Sequence, residues 1–276
     1  MRVWPLYLLA LAAVAGAYLA PRIAQDPAYH RFADQRTLAG IPHFWNVVSN
    51  LPFFLVGAYG LFAWRKARWQ HHHDRWPWLV AALSAFFIGT GSGYYHWNPG
   101  NQTLFWDRLP MTVGFMGVFA AVVAERVNAR AGWWLLGPFL VWGVVSVEFW
   151  RRTELAGAGD LRMYALVQFY PMLAIPLMLW LFPPRYTAAH RIWLMILWYL
   201  AAKILEALDV SIYRTLGGEM GGHALKHLAA AMALWMPLRM LAERAPTGQH
   251  SAPESRCNGG EKTLQDPAAA VQHHRD

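Results

Sequence analysis

Eight long apolar runs divide the chain, at about residues 3–20, 44–64, 77–97, 109–124, 132–150, 163–182, 192–210 and 220–240. Most approach the ~20 residues that a helix rising ~1.5 Å per residue needs to cross a ~30 Å hydrocarbon layer. Strands of a membrane barrel would be about half as long and would alternate apolar with polar positions. These runs do not alternate. The pattern predicts an all-α integral membrane protein: a seven-helix bundle with an extra N-terminal hydrophobic helix or signal segment. Arg2 before the first run and Ala15-Gly16-Ala17 near its end suit a cleavable signal peptide, and the same run could remain as a signal anchor. Either way, residues 21–43 are expected on the outer face and 44–241 as the bundle. Residues 242–276 end in a stretch rich in Pro, Gly, Ser, Gln and His and read as a disordered cytoplasmic tail.

Composition agrees with the pattern. The chain is 56% hydrophobic and 14% charged, where a soluble domain carries about 25% charged residues. A soluble helical bundle and a disordered chain are both excluded. The net charge of +8 is carried by Lys and Arg in short segments between apolar runs rather than by one basic stripe. No nucleic-acid partner is therefore expected. The loops after the second, fourth and sixth runs hold eight Lys and Arg, and the alternate loops hold five. The positive-inside rule makes the first set cytoplasmic, as in a bacterial-type inner membrane, and runs the seven helices from an outer N-terminal end to a cytoplasmic tail. A single cysteine, Cys257, excludes both a disulfide framework and a thiolate zinc site. Any metal must then be held by His, Asp or Glu. Gly89, Gly91 and Gly93 form a small-residue strip where neighbouring helices can approach closely. Pro110, Pro138, Pro171, Pro176 and Pro237 fall at or within spans, where prolines are tolerated.

In such a chain the ionisable residues inside spans carry the functional information. Of 12 His, nine lie in loops and tails: His30, His43, His71, His72, His73, His190, His250, His273 and His274. The other three are His96, at the end of the third run, and His223 and His227, at the start of the last. His223 and His227 are four apart, so their rings share one helix face about 6 Å apart at Cβ, the spacing by which one helix gives two ligands to a metal. The topology puts all three at the outer ends of their helices, and Asp107 at the same level. Ser92, four before His96, shares its face. Three neutral imidazoles and a water complete a tetrahedral catalytic zinc site, and zinc lowers the pKa of its water to about 7. Asp107 could take or orient the proton, and Ser92 could donate to an oxyanion.

Two blander readings compete. The polar residues could simply hold helices together. Haem is disfavoured, because an i, i+4 pair on one helix cannot supply both axial ligands. Lys203, Glu206 and Asp209 follow one another at i, i+3 and i+6 on the penultimate run. Asp209, on the metal's level, could bind a substrate headgroup or pair with Lys203 or a loop Arg. Glu148 is a weaker case of the same kind. Tyr94, Trp97 and Trp106 read as interfacial belt residues, and Tyr95 as a belt residue or a substrate contact.

The residues Phe44-Trp45-Asn46-Val47-Val48-Ser49-Asn50, Ser92-x-x-x-His96, Asp107-Arg108-Leu109-Pro110 and His223-x-x-x-His227 resemble the alkaline ceramidase family. That family belongs to the seven-helix membrane hydrolases that include the adiponectin-receptor-like proteins, and the resemblance covers about residues 29–240. It implies a zinc amidase that cleaves the N-acyl bond of a ceramide in the membrane, releasing a sphingoid base and a fatty acid. His96, His223 and His227 would hold Zn2+, and Asp107 and Ser92 would serve catalysis. The alternatives are a receptor-like or lipid-binding protein with structural zinc, and a hydrolase of another lipid amide or ester. Eukaryotic members carry an acidic calcium-binding segment before the first core helix. Here residues 29–43 offer only Asp34, and His43 stands where the family places a carboxylate. Calcium takes six to eight oxygen ligands, so no calcium site is expected.

Overall fold

The computed structural model describes residues 3–247; residues 248–276 of the expected tail, with His250, Cys257, His273 and His274, lie outside the described residues. Among the described residues the chain is helical, with isolated β-bridges and no strand. The helices are α1 Trp4–Leu19, α2 Phe44–Val48, α3 Leu51–Lys66, α4 Arg75–Trp97, α5 Asn101–Arg126, α6 Ala129–Leu155, α7 Arg162–Leu181, α8 His190–Ala207, α9 Asp209–Thr215 and α10 Gly222–Glu243. Every apolar run coincides with a helix. The second run holds two, α2 and α3, joined at Ser49-Asn50 into one 23-residue span. The seventh breaks at Leu208, so Asp209 belongs to the short α9 rather than to the helix of Lys203 and Glu206. At the C-terminal side α10 continues to Glu243, and Arg244 is buried against the bundle.

Four spans, Phe44–Lys66, Asn101–Arg126, Ala129–Leu155 and Arg162–Leu181, are long and apolar enough to cross a membrane by length and composition. The chain is an all-α membrane helical protein. α4, α8 and α10 are also long, at 23, 18 and 22 residues, but carry more polar side chains. Those polar side chains include the residues of the candidate site.

α5 is the most enclosed span. It lies between α4 and α6 and also touches α7. α3 packs on α4 and α10, α10 packs on α8, and α1 lies along α7. Lipid tails are as apolar as leucine, so association in a membrane depends on close packing rather than on hydrophobic burial. Gly91 shows how this is met. A Cβ there would collide with the Trp106 carbonyl oxygen, so the glycine lets α4 and α5 touch backbone to backbone. Gly89 is similarly pressed by the Phe54 ring, whereas Gly93 meets nothing within 4 Å and does not extend the strip. Asn128 begins α6 by accepting a hydrogen bond from the Ala131 N–H at 3.0 Å, which satisfies one of the free donors of a first helical turn.

One neighbouring pair is not closed. α7 and α8 are consecutive in the chain but do not pack along their length. Gln168 Nε2 on α7 donates to the Tyr199 hydroxyl on α8 at 2.8 Å across the gap. At the bundle end away from His96, buried charges lock the helices. Glu125 accepts from Trp78 Nε1 at 2.8 Å and pairs with Arg244, whose guanidinium lies 4.1 Å from the Tyr186 ring centroid. Asp74 accepts from the Tyr186 hydroxyl at 2.9 Å.

Candidate metal centre

The first turn of α10 is fixed by two devices. Gly222 lies where a Cβ would collide with the Leu205 carbonyl oxygen, so α10 starts in contact with the end of α8. Asp209 Oδ1 then accepts the His223 N–H at 2.8 Å. A carboxylate at a helix N-terminus satisfies a free donor and opposes the positive end of the helix dipole. His223 and His227, one turn apart, point their rings to the same side with centroids 5.1 Å apart. His96, in the last turn of α4, meets both, at 4.9 Å from His223 and 4.7 Å from His227. Each of the three buried residues offers one ring nitrogen, and these atoms all lie within 4.8 Å of one another. The three histidines expected to converge do so.

Ser49 Oγ lies 2.8 Å from His227 Nδ1 and 3.3 Å from the Asn46 carbonyl, so it holds the His227 ring through that nitrogen. His227 Nε2 faces His96 Nε2 at 3.1 Å. Ligands of a tetrahedral zinc ion at ~2.0–2.1 Å lie about 3.3 Å apart. The donor chemistry fits zinc, and the His96–His227 pair has about that spacing. Orientation of a ligating imidazole through its other nitrogen is also what metal sites require. His223 Nε2 faces the Lys226 ammonium at 3.0 Å, and Lys226 is held in turn by Glu206 Oε1 at 2.9 Å. Lys203 pairs with the other Glu206 oxygen.

Asp107 and Ser92 are brought together by the Gly91–Trp106 contact, because each is the next residue along its helix. The Ser92 hydroxyl lies against the Asp107 carboxylate. Both line a cavity of about 370 Å³ with His227, Lys226 and Glu206. Arg108, Lys203, Gln168 and Tyr199 also line it, and its apolar walls include Met111, Phe115 and Val118 on α5, Ile175 on α7, Met195 on α8 and Leu234 on α10. α7 and α8, the pair with the gap between them, both contribute to the wall.

Residues 21–43 form a strap over this end of the bundle. Phe32, 4% exposed, lies 4.7 Å from His96 and 4.5 Å from His223 between ring centroids. It covers the His96 and His223 imidazoles and packs at 5.7 Å on His43. Asp34 and Arg36 pair at 2.9 Å, and Arg36 also bonds the Glu219 carbonyl. The Arg36 guanidinium is held above its ordinary pKa by the hydrogen bond to Asp34. The second Asp209 oxygen accepts the Ala33 N–H at 2.8 Å. Both Asp209 oxygens therefore bond backbone donors, one on the strap and one on α10, and Asp209 is paired with neither Lys203 nor an Arg. Glu148 is engaged by Arg151 and Arg152.

Tyr94, Trp97 and Trp106 are about half exposed, as belt residues would be, but Tyr95 is 1% exposed. The belt reading fails for Tyr95 because its hydroxyl is turned inward to His30 Nδ1 at 2.9 Å, and His30 Nε2 meets Asn101 Oδ1 at 2.9 Å. Ser49, Lys226, Arg108 and Phe32 join the site without having been singled out by role. Their signals were weak ones: a polar pair inside an apolar run for Ser49, and a lysine between two histidines for Lys226.

No curated protein and no solved structure matches the chain. The family model described as Ceramidase matches residues 37–240. That stretch runs from the end of the strap through α10, and it contains the three converging histidines with Ser92 and Asp107. The chain belongs to the ceramidase family.

Proposed function

We propose that this protein is a membrane-embedded, zinc-dependent amidase that hydrolyses the N-acyl bond of ceramide or a similar lipid amide. The observation that carries this reading is one junction: three imidazole nitrogens lie within 4.8 Å of one another, and His227, one of the three residues, lines a mostly apolar cavity together with Asp107 and Ser92. His96, His223 and His227 would hold the ion, with Ser49 orienting His227. Zinc so bound supplies the Lewis acidity that makes water nucleophilic at neutral pH.

The chain's own residues do the rest. Met111, Phe115, Val118 and Leu234 take the acyl tail, which sets the carbonyl at the polar end. Asp107 accepts a proton from the attacking water and passes it to the amine nitrogen as the C–N bond breaks. Ser92 donates to the oxygen of the carbonyl under attack. Phe32 limits water to what the reaction consumes. The products are a fatty acid and a sphingoid base. A lipid reaches the slot sideways, between α7 and α8, past the Gln168–Tyr199 hydrogen bond. The loop charges argue that the metal end faces the outer side of a bacterial-type inner membrane, with the C-terminus cytoplasmic.

Asp107→Asn separates catalysis from folding. Turnover of ceramide falls by about 10²–10⁴, the usual worth of a positioned acid–base group, while zinc content and thermal stability stay close to wild type. Unchanged hydrolysis would contradict the role given to Asp107.

A further inference from the structure

The cavity has a length as well as a lining. Along α5 its wall runs from Asp107 to Val118, along α7 from Tyr164 to Ile175, and along α8 from Glu206 back to Met195. Each pair is 11 residues apart, which is about three turns and returns to the same helix face. Three separate helices therefore give one depth. The two ends differ in kind: Asp107, Tyr164 and Glu206 are polar and lie toward the histidines, and Val118, Ile175 and Met195 are apolar. One turn further, the same faces carry Val122, Met178 and Ile192, and α10 carries Leu238. Each of these is no more than 1% exposed, and all four belong to one packed core. The slot is blind.

The seam between α7 and α8 does not run to that depth. Beside the floor, Ile175 and Met195 are 1% and 6% exposed, so the seam is shut there. Nearer the metal end, Lys203 lines the cavity with its side chain 39% exposed. A tail that descends the slot has no side exit at the bottom, whereas a tail that leaves from the metal end passes into the bilayer. Two tails meet at the amide of a ceramide. The acyl tail is apolar directly beyond its carbonyl. The sphingoid chain carries hydroxyls beside the nitrogen, and a hydroxyl without a partner is costly in an apolar slot. The polar rim of Tyr164, Lys203 and Glu206 suits those hydroxyls. The acyl tail therefore goes down the slot, and the base goes out through the seam.

Eleven residues of helix span about 16 Å, and an extended chain advances about 1.25 Å per bond, since three backbone bonds span 3.8 Å. We propose that the slot measures the acyl chain and leaves the base unmeasured: Val118, Ile175 and Met195 set an acyl limit of about 14 carbons, whatever the length of the base. A longer acyl chain must fold in the slot or draw its carbonyl away from the histidines, and either lowers turnover. Which tail is measured rests on the amidase reading; the depth of the slot does not.

The test uses the full chain, purified in one detergent, and two substrate series at equal mole fraction. One series keeps an 18-carbon base and varies a saturated acyl chain from 8 to 24 carbons. The other keeps a dodecanoyl amide and varies the base from 12 to 20 carbons. Turnover falls at least ten-fold between 14- and 20-carbon acyl chains and stays within about two-fold across the bases. Val118→Phe moves the break to shorter acyl chains and Met195→Ala to longer ones, by at least two carbons each. Turnover within two-fold over the whole acyl series overturns the proposal without recourse to any variant. So does an equally steep fall with the length of the base, or a break that stays in place in both variants. Keto analogues of both series (CH2 in place of the amide NH), competing with a fluorescent dodecanoyl analogue, read the same limits as affinity. If no amide in either series is hydrolysed, the amidase reading fails. An affinity break near 14 carbons then still upholds the slot limit, and a flat affinity series overturns it.

Discussion

At the scale of single residues, the site depends on side chains whose role is set by a partner rather than by their own type. His96, His223 and His227 were legible because ionisable groups are scarce in this chain's spans, which makes a histidine pair informative. Ser49 was part of a recognisable motif, but its task was not legible: only the fold brings it to His227 across 178 positions. Ser49→Ala removes the 2.8 Å partner of His227 Nδ1 and with it the hold on the ring. Zinc affinity should fall about 10–100-fold, the usual worth of such an orienting contact, as read by competition with a chromogenic chelator. Affinity within two-fold of wild type would show that the Ser49 contact does not orient the ligand. Arg108 and Arg126 were legible only as charges between apolar runs, and a count of such charges does not show that both are buried.

At the scale of elements, the apolar runs fixed where helices lie, to within a few residues. What they could not fix were the joints. The break at Leu208 carries no proline or glycine, and it turns Asp209 from a member of a charged helix face into a clasp between strap and α10. The strap itself has no periodic pattern, so the placement of Phe32 over the imidazoles was not readable. The glycine strip was readable in kind but not in register. Gly91→Ala drives a methyl into the Trp106 carbonyl and separates Ser92 from Asp107. It should cost about 1–3 kcal/mol of stability, as overpacking does, and most of the activity. Gly93→Ala meets open space and should be neutral or slightly stabilising, by up to about 1 kcal/mol. Thermal melts and turnover of the two variants side by side check this; equal effects would mean that the α4–α5 contact does not position the pair.

At the scale of the whole molecule, the helices divide the work. The end away from the histidines is closed by buried ion pairs around Glu125 and Arg244, and the metal end is closed by the strap. Between them runs an apolar cavity of about 370 Å³ whose wall includes α7 and α8, the neighbours that do not pack. The all-α bundle was legible in the sequence because helix length and apolarity follow directly from the thickness of the membrane. The cavity was not, because an internal space depends on which faces meet, and helices that are apolar on most faces do not show in their sequence which face that is.

The central claim is that this bundle cuts a lipid amide with a metal held by His96, His223 and His227. It is tested most directly by lipid mass spectrometry on the purified full chain incubated with ceramide and other N-acyl lipids, with and without a zinc chelator, alongside a metal assay. The account predicts about one zinc per chain, fatty acid and free amine released in equal amounts, and both products lost on chelation and restored by zinc. Full activity in zinc-free protein, or a zinc-loaded protein that releases neither product from any N-acyl lipid, would contradict it.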